Sequence, residues 1–512
     1  MSRGIKAVAL LACAALCAVT CGCNVVPPET AEMSEVFGTT AATSAAATTV
    51  KKDETPKPLS STPALCYDKS DSLSPYAAKT RVNRALTPLL FEGLTAVDAS
   101  YTAKLCLAKE IKKTDKTHLT VTLKSDVKFS DKSALKAADV VASFSLARQS
   151  ETYADLVRDV ASVTAKDDKT LTVTLSSAVP YYEAALSFPV VKTAGKTVIG
   201  TGPYRLNAKK TALEQNPCAA KKAKISSFAL ADISRREKQQ YALETGEICA
   251  YGDDLVDGVV PRTVTGITLT PTTLPYLVFL GFNAGRKPWD SAEIRASLSQ
   301  AVSRSEIAAA GFSGYAQGAA TPFCPTFAGL EGISGAEMTA NAAKAVAVWQ
   351  SHGYNKTENG AVKNRMKAEL ICCKDNAMHK AAAEEIAKEL RVAGMEITVK
   401  ALSESDYKGR LSSGNFDLYL GEVRLPATLS LDAVLTSYGA AAYGMSSGGF
   451  ALWEQYKSGK LNTKKFVEAF LKEAPFLPLC YAQGLMLSSD RIAGVSPAGV
   501  SEYNGIEQWT FT

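Results

Sequence analysis

The sequence predicts an α/β protein with more than one core. Its 512 residues are roughly two to four times the length of a typical domain. Leu119, Val121 and Leu123 alternate with Thr120 and Thr122, the two-residue period of a strand with one buried face. Further on, Lys367 to Cys373 alternates around Ala368, Leu370 and Cys372. Ala383, Ile386, Ala387 and Leu390 then recur at helical spacing from His379 to Val392, Gly394 stands where a left-handed cap is expected, and Ile397 and Val399 alternate again. A strand, helix and strand in that order imply a parallel pair. With 46% hydrophobic and 21% charged residues, the composition is that of a globular protein rather than a disordered or membrane-spanning one.

Residues 1–22 have a basic start, an apolar run from Ala7 to Thr20 and small residues before Cys23. That run is shorter than the roughly 20 residues needed to span a bilayer, so it reads as a secretory signal. Val19-Thr20-Cys21-Gly22-Cys23 looks like a bacterial lipoprotein box, with Cys23 as the lipid anchor and Cys21 as the alternative. Residues 23–63, rich in Thr, Ala, Ser and Pro, cannot bury enough apolar surface to fold and read as a lipid-anchored, disordered tether. The formal charge is +6, and +4 without Arg3 and Lys6. No basic stripe interleaved with aromatics accompanies it, so nucleic acid is not an expected partner.

After the tether, Thr117 to Leu123 and Lys169 to Leu175 are nearly the same heptad, read either as neighbouring strands sharing a buried face or as convergence on a strand-like composition. Asp131 to Lys136 is a polar turn, and Val140, Phe144 and Ala147 behind it predict a helix laid on the strands. Gly200-Thr201-Gly202-Pro203-Tyr204 predicts a tight passage that a Cβ would obstruct. It lacks the third glycine and the Lys-Ser/Thr of a phosphate loop. Asp290 with Glu293 and Ser303 with Glu306 have capping-box spacing, so helices should begin near Asp290 and Ser303, with Ile294, Leu298, Ala301 and Val302 facing inward. Arg295 and Arg304 read as structural. The cysteines from Cys66 to Cys480 form no CxxC pair and no histidine lies at ligand spacing from them, so they read as small core residues, with no metal and no cofactor expected.

Several of these stretches resemble family 5 extracellular solute-binding proteins, the peptide, nickel and sugar receptors of ABC importers. The matches are Glu92-Gly93-Leu94, Thr120 to Leu123, Val127-Lys128-Phe129-Ser130-Asp131, Ala138-Asp139-Val140-Val141-Ala142-Ser143-Phe144, the Gly200 to Tyr204 run, Phe282-Asn283, Pro288-Trp289-Asp290, Ile294 to Arg304, Phe416-Asp417-Leu418 and Ala474 to Leu479. Lys132 stands where that family has Gly, Lys136 where it has Thr, and Cys249 where it has Asp. The resemblance implies a two-lobed, type II periplasmic-binding-protein-like fold with an additional α+β lobe. Lobe I would comprise 64–90, 191–275 and 480–512, lobe II 91–190, and lobe III 276–479. It further implies a monomer that closes about a hinge on a small solute, foremost a short peptide, and delivers it to an ABC permease and ATPase complex outside the cell membrane. A peptide-sensing surface receptor or a chaperone on the same fold is the alternative.

An exported enzyme is the rival class. No GxSxG or HExxH motif announces a nucleophile or metal, so no catalytic residue is assigned, and only a glycosidase-like carboxylate pair remains open. His118, His352 and His379 are too few for nickel or haem. Peptide receptors carry an aromatic and an Asp after the strand that holds Phe416 to Gly421. Here Glu422 and Arg424 stand instead, with Asp432 beyond. Two residues apart on a strand, Glu422 and Arg424 point to one side and either satisfy each other or take a ligand's ammonium and carboxylate. Tyr481 matches a cleft aromatic of the family, or is a core tyrosine. The candidate ligand-binding residues are thus Glu422, Arg424, Tyr481 and Asp432.

Overall fold

The structure, a computed structural model, describes residues 61–194, 197–255, 258–333 and 340–512. The signal segment, Cys23 and all but the last residues of the tether lie outside the described residues. No helix among the described residues is long and apolar enough to cross a membrane.

The heptads at 117–123 and 169–175 are neighbours. His118–Leu123 pairs antiparallel with Thr170–Leu175, Leu119 facing Val173 and Val121 facing Leu171. All four side chains are buried. Ala108–Lys113 and Val160–Ala165 complete this four-stranded sheet. The helix Ala137–Gln149 covers it with Val140, Phe144 and Ala147, as their spacing requires. One core, running from Leu94 to Val190, results.

A second, mixed sheet of eleven strands organises the rest. Its order is 204–206, 212–215, 227–232, 64–67, 250–253, 476–489, 267–282, 418–424, 367–373 and 396–402, with 316–318 added against 476–489. Lys367–Cys373 and Glu396–Leu402 run parallel through the helix Ala377–Val392, as the alternating pattern predicted. The outer five strands carry cores built from residues such as Leu65, Phe228, Leu243 and Trp509. The inner end carries cores around Leu280, Trp289, Trp349 and Leu390 on one face and Phe279, Trp453 and Phe476 on the other.

Two long strands join these ends. Ile267–Phe282 and Phe476–Ser489 pair antiparallel along most of their length. Leu269, Leu485 and Leu487 belong to the first group of cores, and Leu277, Phe279, Phe476 and Tyr481 to the second. Between them the ladder slips, from Thr273 opposite Gln483 to Leu277 opposite Tyr481. Such an irregularity leaves residues unpaired and bends the strand locally. It falls between residues 273 and 277 of one strand and beside 481–483 of the other.

The predicted close passages are present. A Cβ on Gly200 would lie 2.0 Å from the Leu90 carbonyl oxygen, and one on Gly202 2.6 Å from that of Leu89. Helix Ala292–Ala301 is capped by Ser291 rather than Asp290, its side chain accepting from the Ile294 amide, and Ser303 caps the next helix as expected. Arg295 is structural: it donates to the carbonyls of Ala474 (3.0 Å), Trp289 (2.7 Å) and Glu473 (2.7 Å). Arg304 likewise donates to the carbonyls of Ala319, Pro478 and Ser299, and burial pushes its pKa down to about 10. The eight cysteines from Cys66 to Cys480 are free thiols.

Candidate functional site

The strand Leu418–Arg424 leaves the core as it runs: Leu418, Tyr419 and Leu420 are buried, Glu422 is half-buried and Arg424 is exposed. Its pairing with 267–282 sets Val278 opposite Glu422 and Tyr276 opposite Arg424, next to the slip in the long ladder. The two charged residues therefore stand beside the slip in the long ladder.

They do not pair with each other. The Glu422 carboxylate lies 2.6 Å from Nε2 of His379, which sits in the first turn of helix Ala377–Val392 below the Asn376 cap. Burial alone would raise the Glu422 pKa. Hydrogen bonding and charge from His379, with help from the Tyr276 hydroxyl, outweigh it and hold the carboxyl below its ordinary value. Sequence reasoning passed over His379. It shares the buried face of its helix with Ala383, Ile386 and Leu390, and a polar ring on an apolar face needs a partner; that was the available signal.

Arg424 has no ion-pair partner among the described residues. The next amide, of Leu425, donates to the Pro275 carbonyl at 2.7 Å and fixes the strand end. The charge of Arg424 reaches two phenols, Tyr276 and Tyr101, whose pKa values burial raises. Tyr101 occupies the tip of the hairpin 95–105, in a turn where Asp98 Oδ1 accepts from the amides of Ser100 and Thr102. Its ring is buried against the second group of cores and its hydroxyl faces the Cys324 thiol. Gly499 closes the other side: a Cβ there would lie 2.2 Å from the Thr273 oxygen and 2.8 Å from the Tyr101 hydroxyl. Residues from all three proposed lobes thus meet at one place.

Across the slip, ion pairs line the outer strands. Arg236 Nε lies 2.5 Å from Asp253 Oδ2, and Arg81 pairs with Glu502. Asp254 adds its charge to the surroundings of both Arg81 and Tyr276.

The other two candidates lie behind this surface. Tyr481 is fully buried and donates its hydroxyl to the Pro322 carbonyl at 2.8 Å. Asp432 is buried as well. Its Oδ1 accepts from Trp453 Nε1 (2.7 Å) and Lys457 Nζ (3.0 Å), and its Oδ2 from Ser430 Oγ (3.3 Å). The structure brings Glu422 and Arg424 together with Tyr276 and Tyr101, and sets Tyr481 and Asp432 apart from them.

Comparisons agree with this architecture. The family model for bacterial extracellular solute-binding proteins, family 5 Middle, matches residues 102–445. The chain is similar to the glutathione-binding protein GsiB of Escherichia coli K12, at 25% identity over 283 residues, covering 50% of this chain and 55% of that protein; it spans about half the length of the curated relatives it matches. Among solved structures it is similar to the periplasmic murein tripeptide-binding protein MppA in its unliganded open form, with TM-score 0.72, 18% identity and coverage of 88% of this chain and 98% of that one. It is also similar to an ABC transporter substrate-binding protein from Sinorhizobium meliloti, with TM-score 0.69, 20% identity and coverage of 88% and 99%. The mixed α/β architecture is the two-lobed, type II fold of these proteins, and the chain belongs to the bacterial extracellular solute-binding proteins, family 5.

Proposed function

We propose that the chain is the lipid-anchored receptor of an ABC importer. It captures a short peptide between its lobes at the slip in the long ladder and hands it, chemically unchanged, to a membrane permease and ATPase. The observation that carries this reading is the family match over 102–445, joined to a charged, tyrosine-lined junction where strands of separate cores converge. The anchor is Cys23, and the chain works as a monomer on the extracytoplasmic face. Lobes I, II and III have the boundaries stated above, with the paired long strands as hinge.

Arg424 is the side chain free to take a ligand carboxylate, and Tyr276 and Tyr101 border it. Glu422, in contact with His379, faces the same space and accepts a ligand donor. Tyr481 and Asp432, whose polar atoms are committed inside the protein, hold the walls. Main-chain hydrogen bonds and bridging water then accommodate varied side chains.

Thermal unfolding across a library of di- to pentapeptides tests this. A true ligand at 100 times its Kd adds about 2.7 kcal/mol to stability, so a subset of peptides should raise Tm. A flat response across peptides, with a rise for sugars instead, would overturn the peptide reading.

A further inference from the structure

Three charges act on the Tyr276 phenol: those of Glu422, Arg424 and Asp254. Glu422 is already engaged, by His379 and by that phenol itself. Arg424 and Asp254 are not. Among the described residues neither makes an ion pair or a side-chain hydrogen bond, with each other or with any other group. Arg424 is exposed and Asp254 half-buried.

The backbone fixes where Asp254 stands. It follows the strand Ala250–Asp253, whereas Arg424 ends the strand Leu418–Arg424. These two strands flank the long pair, one on either side. Asp253 lies opposite Leu485, which sets Asp254 against Gly484. A Cβ on Gly484 would lie 2.7 Å from the Asp253 carbonyl oxygen and 3.4 Å from the Asp254 Cα. Gly484 faces Thr272, one pair before the ladder slips.

Two neighbouring carboxylates have different tasks here. After Asp254 the chain turns at Leu255, buried and at φ 54, a left-handed conformation that costs a Leu side chain energy. Asp253 holds that turn: its Oδ1 accepts from the Leu255 amide at 2.9 Å and its Oδ2 from Arg236 Nε at 2.5 Å. Arg81, whose surroundings Asp254 also enters, spends its guanidinium on Glu502 and the Gly252 carbonyl. The Asp254 carboxylate is therefore left uncommitted on one side of the long pair, and the Arg424 guanidinium on the other.

Closing the lobes over a solute withdraws both groups further from water, and a charge so withdrawn without a partner is costly. A solute bearing one charge strands the opposite group. A solute bearing both signs satisfies both. Resting on the peptide-receptor reading above, we propose that Asp254 takes the ammonium of the bound peptide and Arg424 its carboxylate. The receptor then selects zwitterionic peptides with both ends free and holds them in one direction across the slip.

Isothermal titration of the full chain with the di- to pentapeptides that raise Tm tests this, each peptide in its free, des-amino and C-amidated form. Removing the ammonium adds no bulk and should weaken binding to the parent about 10- to 100-fold, the worth of one charge-assisted hydrogen bond. Asp254→Asn should bind the free and des-amino forms about equally while still paying the parent's penalty for amidation. Arg424→Gln should show the reverse pattern. That selectivity separates a contact from a structural role, because a displaced strand would blunt both penalties together. A parent indifferent to the ammonium, a des-amino penalty that survives in Asp254→Asn, or loss of both penalties in that variant would overturn the proposal. Each of those results comes from a chain that binds peptide; a parent that binds none in any form removes the peptide reading and this assignment with it.

Discussion

Lys132 holds a left-handed backbone conformation, φ 72, at the end of a turn closed by Phe129 and Ser133. Glycine is usual at that place in the family, and the structure gives the physical reason: an L-residue there carries a steric cost that glycine does not. Asp131 beside it is held at about 2 by Lys192, Ser133 and their hydrogen bonds, so the turn itself is well anchored. Replacing Lys132 by Gly relieves about 1 kcal/mol of strain and returns part of it as unfolded-state entropy. A net stabilisation of about 0.5 kcal/mol is expected in chemical denaturation. Glu389 offers a second test. Burial raises its carboxyl to about 7, with the charges of Glu385 and Glu306 adding to the rise, against the Ser303 amide and Lys388. The folded chain therefore binds this proton more tightly than the unfolded one. Stability gains as pH falls from about 7 toward the ordinary value, and is lost as pH rises through 7. Glu389→Gln, which keeps an acceptor for the Ser303 amide, should remove that slope. The variant should exceed the parent by about 1 kcal/mol at pH 8, after allowance for solvent screening, and match it below pH 5.

At the scale of elements, Arg295 ties the start of helix Ala292–Ala301 to the end of Thr463–Glu473, where Ala474 turns left-handed at φ 45. Arg295→Ala leaves three carbonyls, two of them buried, without their donor and should cost about 3–5 kcal/mol, read as a drop in the denaturation midpoint. This role was legible in advance, because the capping residues and apolar spacing around Arg295 already placed it inside a packed helix. So were the paired heptads at 117–123 and 169–175, the parallel unit at 367–402 and the close passages at Gly200 and Gly202. Each depends on periodicity or on backbone space, which a short stretch of residues carries by itself. The partners of isolated polar groups were not legible. Glu422 lies two residues from Arg424 yet has its carboxylate against His379, a helix away, and Asp432 is claimed by Trp453 and Lys457. Which polar group wins depends on how elements pack, and no local period records that. Tyr276 and Tyr101 escaped for the same reason: their strand and hairpin reach the junction only once the long ladder is formed.

At the scale of the whole molecule, the account rests on two long strands that run through separate groups of cores and slip in register between them. Charged and aromatic groups gather at that slip, and Arg424 stands there without an ion-pair partner among the described residues. A binding energy of roughly 8 kcal/mol corresponds to micromolar affinity, and one charge-assisted hydrogen bond supplies about 1.5–3 kcal/mol of it. Arg424→Gln should therefore weaken peptide binding about 10- to 100-fold while leaving the fold intact. Native mass spectrometry of the chain as purified from its source tests the central claim most directly. The account predicts an adduct of short-peptide mass on the parent chain that is lost from Arg424→Gln. A parent chain free of any such adduct, or one carried equally by both proteins, would contradict it.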